Sequence, residues 1–317
     1  MNFSVLTSQF WSLCLSGLSL GLIYVLISLG YTMVYGVLRL INFANSEIFM
    51  VGTFATVWVE TGLTGHTSNS NPLHGFQLVY TLLFALVISM LASGLTAIAV
   101  EFLAYRRLRA RGTNRLASLI SAIGMSIILS ESARILTHSR PQASPRLMEK
   151  TSFGHIAGAN FRIDTVLVVI SALLMFFALD RFVNKSRLGK AIRAVSMSEE
   201  NAKLMGINLN RVISVTFLIG GLMTGAAAFF FMTVYETTKF NVGFNLGLAA
   251  FTAAVLGGIG NLRGAFFGGI ALGLLETMSA AVLGSQWKSV TVFVVLVLVL
   301  LVRPNGIFGE AIQQTRV

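Results

Sequence analysis

Long apolar runs separated by short polar interruptions make up nearly the whole chain. A helix needs about 20 mainly apolar residues to cross the hydrocarbon of a bilayer. Such runs lie at 12–36, 41–60, 78–103, 116–137, 163–183 and 211–235. Less clean runs follow at 246–262, 264–284 and 288–302, the first of them short and rich in glycine. The strict apolar–polar alternation of a membrane β-barrel is missing. The pattern therefore predicts an all-α, polytopic membrane protein of about eight or nine transmembrane helices, in a single transmembrane domain over 1–317. Within it, AAVLGGIGNLRGAFFGG reads as two closely packed helices broken at Gly260 to Gly264, a broken or re-entrant pair. Irregular backbone at membrane depth is tolerated only against protein or a water-filled cavity, so this break is expected to face away from lipid.

Composition agrees. With 55% hydrophobic and 11% charged residues, the chain is too apolar for an ordinary water-soluble domain. Basic residues in short loops are held on the cytoplasmic side. The loop YRRLRARGTNR, with Arg106, Arg107, Arg109, Arg111 and Arg115, is expected there, together with 185–211 and most of the 23 Lys and Arg. The loop GLTGHTSNSNPLHG, without Lys or Arg, is then outside. This orientation puts the N-terminus outside and the C-terminus inside, which requires an odd number of crossings. The net charge of +11 is spread along membrane-flanking loops, a distribution that suits anchoring to membrane lipid and not nucleic acid. MNFSVLTSQFW lacks the basic region of a cleaved signal peptide, so the first run is expected to remain as a span. Cys14 is the only cysteine, which excludes an internal disulfide or a cysteine metal cluster.

Polar residues inside the spans are few. Glu131 and Arg134, three apart, are expected to neutralise each other. Glu276 is either paired to another helix or exposed to a translocation path. Asn42, Asn45 and Glu47 lie near the cytoplasmic end of the second run, where they either cap a helix or contact a polar solute; capping is the expectation for Asn42. Glycines four apart, at Gly17 and Gly21, Gly221 and Gly225, and Gly269 and Gly273, mark close helix contacts. The serial run through Gly257, Gly260, Gly264 and Gly268 does the same.

One charged, amphipathic stretch interrupts the apolar chain: SEENAKLMGIN, from Ser198 to Asn208. Ser196 and Glu199 have the spacing of a capping box, and Gly206 suits the left-handed residue that closes a helix. Ala202, Leu204, Met205 and Ile207 are expected to supply apolar contacts. On composition alone the stretch is either a membrane-surface helix joining two spans or a docking knob for a cytoplasmic partner.

Glu200-Asn201-Ala202-x-x-x-Gly206 resembles the EAA-x-x-x-G signature of ATP-binding-cassette importer permeases, with Asn201 in place of the first alanine. With SRLGKAIRAV, LMGINLNRVI, AAFTAAVLGGIGNLRGAFFGGIALGLLE, LLVRPNGIFG and YTMVYGVLRLINFANSEIFM, the chain is similar to branched-chain amino acid permeases of the LivH type from about Gly17 to Gly309. The resemblance implies a multi-pass permease of the bacterial inner membrane. It also implies a coupling segment at about 185–211, in which Ser196, Glu199, Glu200, Asn201, Ala202, Leu204 and Gly206 meet an ATPase. The implied partners are two ATPase subunits, which carry ATP and Mg, a second related permease and an extracytoplasmic solute-binding protein. The family usually has His-Gly where this chain has Asn45-Ser46, which removes a group able to titrate near neutral pH.

The chain has no Gly-x-x-x-x-Gly-Lys-Ser/Thr phosphate loop, so it is expected to hold no nucleotide itself and to act as a transport subunit, not an enzyme. Related permeases serve urea or short amides, which leaves the solute open. An ion-coupled secondary transporter would use Glu276 and the Gly260 break as an ion site. A membrane enzyme fits worse, since His66, His74, His138 and His155 lack metal-ligand spacing and no Gly-x-Ser-x-Gly occurs.

Overall fold

The computed structural model describes residues 9–65, 73, 75–112, 115–148, 152–156 and 159–309. Expectations that rest on residues 1–8, His66, His74 or Arg316 lie outside them. The helices are α1 (Phe10–Leu38), α2 (Asn45–Thr64), α3 (Gly75–Val100), α4 (Arg115–Leu136), α5 (Ile163–Lys185), α6 (Arg187–Met197), α7 (Glu199–Leu204), α8 (Leu209–Tyr235), α9 (Val242–Gly257), α10 (Leu262–Leu283) and α11 (Lys288–Val302). A π-helical turn, Glu101–Arg106, carries α3 on into Arg107–Ala110. Short strands sit at one end of the bundle: β1 (Gln142–Ala143) pairs antiparallel with β4 (Thr237–Thr238), and β2 (Ser152–Ile156) with β3 (Ala159–Arg162). Among the described residues, seven helices are long and apolar enough to cross a membrane: α1, α3, α4, α5, α8, α10, and α11 with the turn before it. The polytopic all-α fold read from the sequence is therefore the fold found.

α1 is the axis of the bundle. Every side chain from Leu20 to Val34 is buried, as expected of a helix that is apolar all round. Glycine lets its neighbours touch it. A Cβ on Gly273 of the antiparallel α10 would stand 2.3 Å from Gly21 Cα, and one on Gly30 would stand 2.9 Å from Gly220 O of α8. α8 meets α3 the same way, where Gly225 faces the Ser89 carbonyl. The outer helices α4, α5 and α11 expose Ile120, Ile127, Leu174, Phe177, Leu298 and Leu301, the surface a lipid-facing helix carries.

Two elements depart from the apolar-run reading. The second run predicts a helix from residue 41, but at Arg39 the chain turns with φ +50° and runs back along α1. α2 starts only at Asn45, whose Nδ2 reaches the Ile27 carbonyl at 3.5 Å. At 1.5 Å per residue, Ile27 lies about 16 Å from the Leu38 end of α1, so α2 begins deep in the bundle and not at its edge. Leu40, Ile41 and Phe43 are apolar enough to make that loop look like helix. The second departure is the glycine-rich break. It falls at Gly258–Asn261 and not at Gly260 to Gly264, while the two closely packed helices expected on either side of it are found as the short α9 and the full-length span α10. Gly257, Gly264 and Gly268 make the close contacts: a Cβ on Gly257 would lie 1.9 Å from Gly264 O, and one on Gly268 would lie 2.2 Å from Ala253 O. Gly260 instead serves the turn, with φ +97° and only Tyr35 near it. Asn261 caps α10 by accepting from Arg263 N and Gly264 N. The α9 carbonyls of Leu256 and Gly257 are met by Ile307 N and Phe308 N from the segment after α11.

Candidate functional site

At the arginine-rich end, α6 and α7 form a compact elbow. Ser186 caps α6 by accepting from Gly189 N, and Gly189 packs where any Cβ would strike Val183 O at 2.2 Å. The cap of α7 is Ser198, which accepts from Asn201 N at 3.2 Å. This corrects the capping box expected at Ser196 and Glu199: Ser196 is still in α6, its Oγ donating to Arg193 O. Glu199 and Glu200 occupy the first turn of α7, where the helix dipole favours acids. Gly206 ends the helix with φ +78°, and Ile207 N reaches back to Ala202 O, the Schellman arrangement. Ala202 is buried, but Leu204 and Met205 are 85% and 83% exposed, and Met197 is 83% exposed. Of the residues expected to supply apolar contacts, Ala202 is thus turned inward while Leu204 and Met205 form a bare apolar tip on the elbow.

A polar clamp behind the elbow escaped sequence reading. Glu101, fully buried, pairs with Arg106 at 3.0 Å and Arg109 at 3.3 Å, and accepts from Ser214 of α8 at 3.0 Å. Arg109 also donates to Asn210 at 2.7 Å. An i to i+5 pair does not share a face of an α-helix; the wider π turn brings Glu101 and Arg106 together. The signal that was available is a glutamate at the end of an apolar run followed by a cluster of arginines.

The polar segment before α2 lies inside the bundle. Asn42 Oδ1 accepts from Ala44 N and from the Tyr105 hydroxyl, both at 3.2 Å, so it fixes the turn before the helix while Ala44 takes the cap position. Asn45 Oδ1 faces Thr224 Oγ1 of α8 at 3.4 Å. Glu47 Oε1 has Ser126 Oγ of α4 at 3.5 Å, and Oε2 has no hydrogen-bond partner. A Cβ on Gly243 would stand 2.8 Å from Oε2, which puts the first turn of α9 beside Glu47. These three residues are together. Glu276 is elsewhere, buried between α10 and α1, where the Tyr24 hydroxyl donates to it at 2.7 Å. Glu131 and Arg134 pair at 2.6 Å on α4.

A cavity of about 1040 Å³ opens at the arginine-rich end, lined among others by Thr32, Arg39, Asp180, Arg193, Gly260 and Asn261. The irregular backbone at Gly260 and Asn261 thus faces a polar space. Among the described residues, no group of three or more His, Cys, Asp or Glu is placed to hold a metal ion.

A bundle of long apolar helices with a glycine-packed centre, internal polar breaks and a capped apolar elbow at one end defines a multi-pass membrane protein. Residues 13–300 match the model of the branched-chain amino acid transport system / permease component, and the chain belongs to that family. It is 40% identical over 298 residues to the high-affinity branched-chain amino acid transport system permease protein BraD of Pseudomonas aeruginosa, covering 93% of this chain and 94% of BraD. LivH of Escherichia coli, with the same description, is 39% identical over the same shares. The ribose import permease protein RbsC of Escherichia coli is more distant, at 24% over 59% of this chain and 60% of RbsC.

Proposed function

We propose that the chain is the permease subunit of an ATP-driven importer that carries branched-chain or other small amino acids across the bacterial inner membrane. Its nearly full-length similarity to BraD and LivH supports the solute class. The elbow supports the energy source. Two capped helices that end in exposed Met197, Leu204 and Met205 form an apolar projection beside a charged rim, the form of a hot-spot anchor for a cleft on a partner. Separate ATPase subunits bind ATP with Mg and hydrolyse it, two of them for a pair of permeases, and an extracytoplasmic binding protein delivers the solute to the strand end. The arginine-rich end is cytoplasmic by the distribution of Lys and Arg, which puts the N-terminus outside and the C-terminus inside.

The carrying observation is the bare tip of α7, and its test is direct. Leu204→Asp with Met205→Asp, expressed with the neighbouring transport subunits, is expected to insert in the membrane and to lose the co-purifying ATPase and ATP-driven leucine uptake. ATPase recovery equal to wild type would remove the docking role.

A further inference from the structure

Glu47 differs from the other buried carboxylates. Glu101 is held by two arginines, Asp164 by Arg162 at 2.5 Å, Glu276 by Tyr24 and Glu60 by Ser144. Glu47 is 2% exposed, its Oε2 has no hydrogen-bond partner, and no ion pair among the described residues includes it. It sits where two helices start side by side. α2 begins at Asn45 and α9 at Val242, and neither has a side-chain cap. Gly243 and Gly247 let α9 press onto Ser46, since a Cβ on either would come within 2.4 Å of it. Among the described residues this buried carboxylate therefore has no cation, and the N-termini of α2 and α9 beside it are what favour its charge.

A buried carboxylate oxygen with no partner matches the positive charge of a free amino acid. We infer that Glu47 is the acceptor for the solute's α-ammonium group during passage. The inference rests on the permease reading and adds to it a specificity-determining residue. Nothing charged among the described residues pairs with Oε2, so an arriving ammonium ion supplies the partner that the carboxylate lacks. Apolar side chains of the solute then fall against Tyr31 and Phe251, whose rings meet edge to face at 6.0 Å beside Ser46 and Gly247.

The test uses the whole importer in proteoliposomes with radiolabelled leucine, locked after one turnover with ATP and orthovanadate. Glu47→Gln is expected to lower both uptake and the label retained in the complex by about tenfold or more, the cost of an unpaired charged partner, while nucleotide trapping and ATPase content stay unchanged. Glu47→Asp is expected to retain an intermediate amount. Wild-type uptake and retention in Glu47→Gln would overturn the assignment. If Glu47→Gln does not assemble, Glu47→Asp carries the test, and wild-type retention there overturns it equally. Uptake that requires sodium or potassium, and loses that requirement in Glu47→Gln, would reassign Glu47 to an inorganic cation and also overturn it. Failure of the wild-type importer to move any amino acid with ATP would instead tell against the permease reading itself.

Discussion

The Tyr105 hydroxyl donates to Asn42 Oδ1 at 3.2 Å, and this bond joins the π turn after α3 to the loop that leads into α2. On one side of it stand Glu101, Arg106, Arg109, Asn210 and Ser214, directly behind the elbow. On the other stand Asn45 and Glu47. Arg39 adds a second tie, its Nη2 donating to Ser196 O at 3.1 Å between the end of α1 and the end of α6. Movement of the elbow thus has contiguous polar contacts along which to reach the interior break.

Tyr105→Phe keeps the ring against Phe217 and removes only the hydroxyl. The expected result is a complex that assembles and hydrolyses ATP but transports more slowly by about fivefold, the factor that a bond worth about 1 kcal/mol represents. Comparing ATP hydrolysed with leucine moved per unit time measures this; an unchanged ratio removes the tie from the coupling route.

Glu101→Ala leaves two arginines without their carboxylate. Because Arg106 and Arg109 are partly exposed, at 35% and 23%, solvent screens them and the loss is about 2 kcal/mol, below that of a fully buried pair. A lower melting temperature in detergent is expected, with a larger drop than for Glu131→Ala, whose ion pair is half-exposed on both sides.

The glycines divide sharply. Gly273→Ala places a methyl group 2.3 Å from Gly21 Cα, where backbone has to move, and about 1 to 3 kcal/mol is expected to be lost. Gly36→Ala meets nothing within 4 Å and removes a flexible residue from α1, so it is expected to be neutral or to stabilise by about 0.5 kcal/mol. Thermal unfolding of the two variants side by side decides this, and equal effects would contradict the close α1–α10 approach.

What the sequence made legible follows from what a linear pattern encodes. Apolar length gave the bundle, and four-residue glycine spacing marked the closely packed faces of α1, α8 and α10, because both are properties of one helix face, while which helix meets which is not. Depth is not such a property. Leu40, Ile41 and Phe43 carry the hydropathy of a span while folding as a loop against α1, so Asn42, Asn45 and Glu47 were placed at an edge although they lie well inside. The capping residue was misplaced for a related reason. Ser196 has an acid three residues on, at Glu199, whereas Ser198 has Asn201 there, so the box spacing pointed to Ser196, and only the length of α6 decides for Ser198. Glu101 needed a π turn that no apolar period announces.

Gly206 provides the last test of the elbow. It holds φ +78° at the end of α7 and has open space around it, so a larger side chain there meets no steric neighbour and only the backbone conformation is penalised. Gly206→Val therefore costs about 1 to 2 kcal/mol locally, and more than Gly206→Asn, since asparagine tolerates the left-handed region and a β-branched residue does not. Unwinding the Schellman closure removes the bond from Ile207 N to Ala202 O and with it the fixed position of Leu204 and Met205. Membrane insertion of Gly206→Val is expected at wild-type level, with ATPase co-purification reduced severalfold and largely restored in Gly206→Asn. Equal recovery of ATPase in all three proteins would show that the shape of the elbow is not what the partner reads.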